Sequence, residues 1–137
     1  QGDADKDLIA YPSKSFDFVI LSQTLQATYF PEEVLNQLVR ISKHAIVSFP
    51  NFGSWLIRLK LLINGVMPLS NSLPHTWYTT PNIHLCTIKD FKKLCEKNSI
   101  KIEQSYYLNK NGKKINNPFN KLFNNFFSTS GLFVLKK

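Results

Sequence analysis

The chain is short of the residues that mark several common functions. It has five glycines in 137 residues, and none fall in the GxGxG spacing that brings backbone amides up to a nucleotide. Its two cysteines, Cys86 and Cys95, stand nine positions apart with no CxxC pair and no clustered histidine, so no structural zinc site is expected. Unpaired cysteines suit a reducing compartment, which points to the cytoplasm. Arg40 and Arg58 are the only arginines, and arginine is the residue favoured for bidentate phosphate and guanine contacts. No apolar run approaches the roughly 20 residues that span a bilayer, so no membrane span is expected. The chain begins at Gln1 without a charged-then-apolar leader, and the reading expects a piece whose natural N-terminus is missing.

What is present suits one globular domain. Hydrophobic residues make up 43% and aromatics 13%, against 19% charged, which excludes a disordered tail, a collagen-like fibre and a disulfide miniprotein. The net charge of +8 is unevenly placed. Residues 1–85 balance six basic against six acidic side chains, whereas 86–137 hold eleven lysines against Asp90, Glu96 and Glu103. This lysine- and asparagine-rich habit reads as general composition, and no nucleic-acid partner is expected. A basic nucleic-acid-binding module is the alternative of another class, and steep salt dependence would reveal it.

The pattern of elements is that of an α/β sheet. FDFVILS at 16–22 is a nearly continuous apolar run, as in a strand buried on both faces. PEEVLNQLVRIS at 31–42 reads as a helix, with Pro31 in its first turn and Glu32 and Glu33 at the positive end of its dipole. HAIVSFPN at 44–51 is a second buried strand, which makes a right-handed strand–helix–strand unit. SWLIRLKLLIN at 54–64 predicts a helix capped by Ser54 and stopped by Gly65. It is apolar nearly all round, which predicts burial, as a lid, a partner surface or core. Residues 66–86 form a long connection carrying His75, Trp77, Tyr78 and His84. Thr87 and Asp90 mark a capped helix start, with Cys86 and Phe91 in the staple positions. A strand is expected at 100–108, a short helix through Pro118, Phe119, Leu122, Phe123 and Phe126, and a last strand at 131–135.

Ligands of open α/β sheets bind beyond the carboxyl ends of the strands. Three segments stand there: GDAD at 2–5, SQTLQAT at 22–28 and PNFGSW at 50–55. Asp3 or Asp5 offers a carboxylate to a hydroxyl or amine, Ser22 and Gln23 offer polar contacts, and Asn51 offers both a donor and an acceptor. Turn and cap chemistry is the plainer account of each residue taken singly.

SFDFVILSQTLQAT, PEEVL, HAIVSFPNFGSW and LPHTWYTTPNIHLCTIKDF together closely resemble the MetW family of methionine-biosynthesis proteins, over about residues 1–105. The resemblance implies the C-terminal half of a Rossmann-like class I methyltransferase fold, with parallel strands, helices and a C-terminal antiparallel strand pair. Residues 1–137 would be one partial domain, with the glycine-rich cofactor loop upstream of residue 1. The implied cofactor is S-adenosylmethionine, held weakly or not at all by this piece. The implied partner is the homoserine O-acyltransferase MetX. By motif, Asp3 and then Asp5 match the segment that contacts adenine, and Ser22, Gln23 and Thr24 match the one beneath the methionine part. Asn51, Trp55, Tyr78, Asn82 and His84 fall in the family's characteristic segments and would frame the substrate side or a partner contact. A genuine small-molecule methyltransferase is the enzymatic alternative.

No catalytic residue is identified outright; His84, Asn51 and Tyr78 are the candidates. His84 has a base's chemistry but no nearby carboxylate to orient it, and the competing reading is a structural histidine that fastens the long loop near Thr87. Nothing near Cys86 would lower its thiol pKa, so it reads as a staple residue. No metal site is expected.

Overall fold

The computed structural model describes residues 2–70, 72–115 and 120–137. Strand β1 (Phe16–Ser22), helix α1 (Pro31–Ile41) and strand β2 (Ser42–Pro50) form the anticipated crossover. β1 and β2 run parallel, in register from Phe16 opposite Ser42 to Ser22 opposite Ser48. Pro31 opens α1, Glu32 and Glu33 fill its first turn, and it buries Val34, Leu35, Leu38, Val39 and Ile41. Phe30, at the N-cap, supplies no side-chain cap. The Asp5 carboxylate does related work from a distance, accepting the backbone N–H groups of Tyr29 and Phe30 at 3.0 Å each.

Helix α2 (Trp55–Asn64) ends at Gly65, whose φ of 63° is the left-handed conformation that glycine adopts without strain. Helix α3 (Ile88–Lys97) begins at Thr87, whose hydroxyl oxygen accepts the Asp90 N–H at 3.1 Å and whose O–H donates to the Asp90 carboxylate at 2.5 Å. Asp90 thus answers the cap through the side chain of Thr87. The helix closes with Ser99 at φ 54°, with Ser99 N–H donating to Glu96 C=O and Ile100 N–H to Cys95 C=O, the paired bonds of a Schellman ending.

Strand β3 (Lys101–Leu108), helix α4 (Asn120–Phe127) and strand β4 (Ser130–Lys136) complete the chain. The short helix expected near the C-terminus is α4; Pro118 and Phe119, read as part of it, lie outside the described residues. The sheet order is β1-β2-β4-β3, with β4 antiparallel to both neighbours. The last strand therefore inserts between the second and third. Gly131 permits this: a Cβ there would meet the Phe133 ring at 2.7 Å and Ile88 at 3.3 Å. Phe133 lies 4.8 Å from Phe91 and 5.7 Å from Phe49, ring centre to ring centre, at the heart of the core.

The core lies on one face of the sheet. Leu21, Ala45, Val47, Phe49, Phe133 and Leu135 pack there with the buried sides of α1 and α3. The opposite face carries Phe18 and Ile20, 61% and 67% exposed, beside the half-buried Ile46, Leu132 and Val134. This corrects the expectation that FDFVILS is buried on both faces. Among the described residues no helix covers that second face, and β1 is an edge strand paired only with β2. Of the readings of α2 as a lid, a partner surface or core, the core reading is corrected. Only Ile57 is buried, while Leu62 is 84% and Ile63 70% exposed.

Candidate functional site

The carboxyl ends of β1 and β2 lie side by side, and the chain leaves each under tight constraint. Gln23, directly after β1, has φ 52°, a left-handed conformation unusual for a residue with a Cβ. It is held there by its own N–H, which donates to Ser48 C=O at 2.9 Å and to the Ser48 hydroxyl at 3.2 Å. The Ser22 and Ser48 hydroxyls are bonded at 3.2 Å, so the two strand ends are tied side chain to side chain. The Thr24 O–H donates back to Ser22 C=O at 2.8 Å. Ser22, Gln23 and Thr24 thus form one crest, and Gln23 borders the cleft beside it.

Gln26, three residues beyond Gln23, is only 4% exposed. Its side-chain N–H donates to Gln23 C=O at 2.7 Å, and its own C=O accepts the N–H groups of Ile83 and His84 at 2.9 Å each. The long 66–86 connection is therefore fastened to the β1 crest through Gln26. His84 takes part through its backbone; its Nε2 is buried and has no hydrogen-bond partner, as is true of Gln26 Oε1. The structural reading of His84 had placed the fastening at Thr87. Sequence reasoning missed Gln26, because an uncharged residue in a short turn carries no signal of burial.

The acids of the GDAD segment are engaged within the chain. Asp3 accepts the Asp5 N–H at 2.9 Å and pairs with Lys6 at 3.1 Å, and these contacts hold its carboxyl below the ordinary range. Asp5 grips the approach to α1, as described above. Asn51 is fully buried and bonded on every side. Its amide N–H groups donate to Asn125 C=O at 2.9 Å and Ser128 C=O at 2.7 Å, and its oxygen accepts Gly53 N–H at 3.0 Å and Ile88 N–H at 3.3 Å. One side chain thus joins the end of β2, the start of α3 and the turn before β4. Tyr78 is exposed, packed edge-on to Trp77 at 5.6 Å, and Trp55 is half exposed at the start of α2. Asn82 borders a second groove of about 260 Å³ with Phe52, Met67, Leu73 and Trp77.

Burial pushes the Cys86 and Cys95 thiols up to about 12, which fits the staple reading and leaves neither as a thiolate near neutral pH. Among the described residues no three His, Cys, Asp or Glu side chains are grouped to hold a metal, and no helix is long and apolar enough to cross a membrane.

A concavity of about 670 Å³ opens beside this crest. Gln23, Ser54, Ser70, Ser72, Lys110 and Thr129 are among the residues that border it. It therefore gathers the exits of β1 and β2, the loop after α2 and the turn after β3. Of its polar residues, Gln23 had been singled out from the sequence as a ligand contact. Lys110 and Thr129 lie in stretches whose order reads only as loop, and no local pattern brings them to the crest.

Comparison with known proteins shows the family and the fold. The family model described as methionine biosynthesis protein MetW matches residues 1–135. A bifunctional methionine biosynthesis protein MetXA/MetW of Rhodopirellula baltica is 34% identical over 106 residues, covering 77% of this chain and 17% of that protein. The fold is similar to a SAM-dependent methyltransferase of Archaeoglobus fulgidus, with a TM-score of 0.61 at 13% identity over the whole chain and 66% of that structure. It is also similar to a SAM-dependent methyltransferase of Thermotoga maritima, described as a possible histamine N-methyltransferase, with a TM-score of 0.59 at 17% identity, covering 99% of this chain and 61% of that one. The chain thus spans about a sixth of the fused relative and under two thirds of the solved structures.

Proposed function

Because the chain belongs to the MetW family of methionine biosynthesis proteins, we propose that it serves cytoplasmic methionine biosynthesis, acting beside a homoserine O-acyltransferase of the MetX type. The observation that carries this reading is the family match over residues 1–135. The relative in which MetXA and MetW form one polypeptide supports the partnership, since fusion holds two proteins at high effective concentration. The apolar surface of α2 supports a macromolecular partner. Leu59, Leu62 and Ile63 are exposed, as is Val66 just beyond the helix, and an apolar helix face left in water is the usual mark of a docking surface.

S-adenosylmethionine is the cofactor this reading implies, and the crest of Ser22, Gln23 and Thr24 would form one wall of its site. The groups present do not make a complete site. Asp3 is bonded within its own turn and Asp5 to the backbone ahead of α1, and no glycine-rich turn is available to bring backbone amides to the ligand. We therefore read the chain as the back half of a larger sheet. The free edge of β1 and the uncovered apolar face beside Phe18 and Ile20 support this, because both are what further parallel strands and their helices would cover. Asn51 acts in this scheme as a scaffold residue, and no general base is assigned.

The test is the homoserine acylation rate of the acyltransferase with and without this protein, together with co-purification of the two. A stable complex or a changed acylation rate supports the reading, and the absence of both removes it. The similarity of fold to SAM-dependent methyltransferases favours a second reading, a genuine methyltransferase. Transfer of a labelled methyl group from S-adenosylmethionine to a small acceptor would establish that instead.

A further inference from the structure

We propose, resting on the reading above, that the outer face of α2 and the groove beside its C-terminal end form one docking surface for the acyltransferase. The surface takes an apolar anchor side chain of that partner, bordered by carboxylates.

The apolar groups are grouped, not scattered. Leu59, Leu62 and Ile63 fall at i, i+3 and i+4, which sets them on one face of α2, and all three are exposed. The cleft beside the crest takes Leu56 and Ile57 from this helix and none of those three. Beyond the helix the apolar surface continues. Lys60 Nζ donates to Leu69 C=O at 3.0 Å, which holds the start of the 66–86 connection against α2. Met67 and Pro68, in that held stretch, enter the wall of the groove with Phe52, Leu73, Trp77 and Leu85. Trp77 is 74% exposed. Single exposed apolar side chains are ordinary, but a helix face that runs into a groove is not.

The groove's size favours a protein over a metabolite. Its volume of about 260 Å³ falls below the roughly 300–1,000 Å³ of small-molecule sites and suits a side chain. Tryptophan at such a rim is a residue type enriched where a few contacts carry most of the binding energy. His75, Thr80 and Asn82 border the same groove and supply polar groups around the apolar floor.

Charge then sets the partner's chemistry. Residues 34–89 contain no aspartate or glutamate, so neither α2 nor the connection presents an acid. Arg58 Nε donates to Gly53 C=O at 2.8 Å and Lys60 to Leu69 C=O, and neither pairs with a carboxylate among the described residues. Such a surface attracts an apolar patch bordered by Asp and Glu and rejects a basic one.

The test is calorimetric titration of the longer protein with the acyltransferase at low salt. Leu62→Asp combined with Ile63→Asp should weaken the complex roughly tenfold or more, and Trp77→Ala should do the same. Lys60→Glu should weaken it several-fold, and less so at high salt. Lys93→Glu, on the exposed side of α3, should leave it unchanged. The double variant should melt with the wild type, since both side chains already lie in water. A melting temperature lowered by several degrees would mean that the longer protein covers this face itself, and the proposal would fail. Unchanged affinity in both apolar variants also overturns it and leaves the reading above standing. A wild-type protein that neither binds the acyltransferase nor changes its rate removes that reading as well. Self-association, or binding to vesicles of phosphatidylcholine and phosphatidylglycerol, can be measured on the same variants. Either one, lost in the double variant while the acyltransferase complex is kept, assigns the face to a second copy or to a lipid surface and overturns the proposal.

Discussion

At the scale of single residues, the polar groups nearest the strand ends divide into those that build the crest and those left facing open space. Asn51 builds. It serves four backbone groups, two of which lie 74 and 77 residues away in sequence. Removing a buried partner leaves each such group short of a hydrogen bond at a cost of about 1–3 kcal/mol. Asn51→Ala should therefore destabilise the protein by roughly 3 kcal/mol or more, read as a lowered urea midpoint with an unchanged slope. A loss below about 1 kcal/mol would mean that the network is dispensable. The two thiols give a second prediction. They ionise near 9.0 when unperturbed and near 12 in the folded protein. Below pH 9 both states keep these protons, so the thiols impose no penalty. Between those values the unfolded chain loses the protons and the folded one keeps them, so stability should fall as pH rises. Ellman's reagent at pH 8 should accordingly react slowly with Cys86 and Cys95 until denaturant is added. Rapid reaction in native buffer would contradict the burial of both.

Between elements, α1 and α3 are joined by a small polar brace. Glu32 pairs with Lys97 at 2.9 Å and accepts the Asn98 side-chain N–H at 3.0 Å, while Asn36 donates to Asn98 at 2.9 Å. The contacts from Lys97 and then Asn98 hold the Glu32 carboxyl below its ordinary 4.5. Glu103 is held low in the same way, first by Lys136 at 2.9 Å and then by His44. A lowered folded pKa gives stability that is complete above the unfolded value and disappears as pH falls through the folded one. The native protein should therefore lose stability below about pH 4.5, and Glu32→Gln with Glu103→Gln should flatten that decline. Melting temperatures from pH 6 to pH 3 would check it, and parallel curves for the two proteins would refute it. Salt should weaken the effect, since the Glu32 brace is partly exposed.

Across the whole molecule, the parts legible in sequence were those with local causes. The β1–α1–β2 crossover followed from two apolar runs and a helix of period 3.6, and α3 followed from Thr87 and Asp90. The position of β4 between β2 and β3 was not legible, because pairing such as Val47 with Phe133 depends on residues far apart in the chain. The site was legible in outline, since the post-β1 segment does form the crest. Asn51 read singly as a turn former, and its bonds to Asn125 and Ser128 were not legible because those partners lie far along the chain. The misread burial of FDFVILS has a different origin. Its pattern is that of a strand covered on both faces, and the second cover is absent from the described residues. That mismatch makes the last prediction. Phe18 and Ile20 lie in an edge strand with open hydrogen-bonding groups, the arrangement that drives strand-to-strand association. The 137-residue chain by itself should self-associate at micromolar concentration and bind a dye that reports exposed apolar surface. Ile20→Lys should reduce both while costing the chain about 0.5 kcal/mol or less, since a side chain already in water has little burial to lose. If further strands of the same sheet cover this face, the same substitution in the longer protein should cost about 2 kcal/mol or more, because a lysine would then be forced into a closed apolar layer. Sedimentation velocity on the chain and denaturation of both forms measure the two effects. A substitution that is equally harmless in the longer protein would mean that the face stays open there, and the reading of the chain as half of a larger sheet would fail.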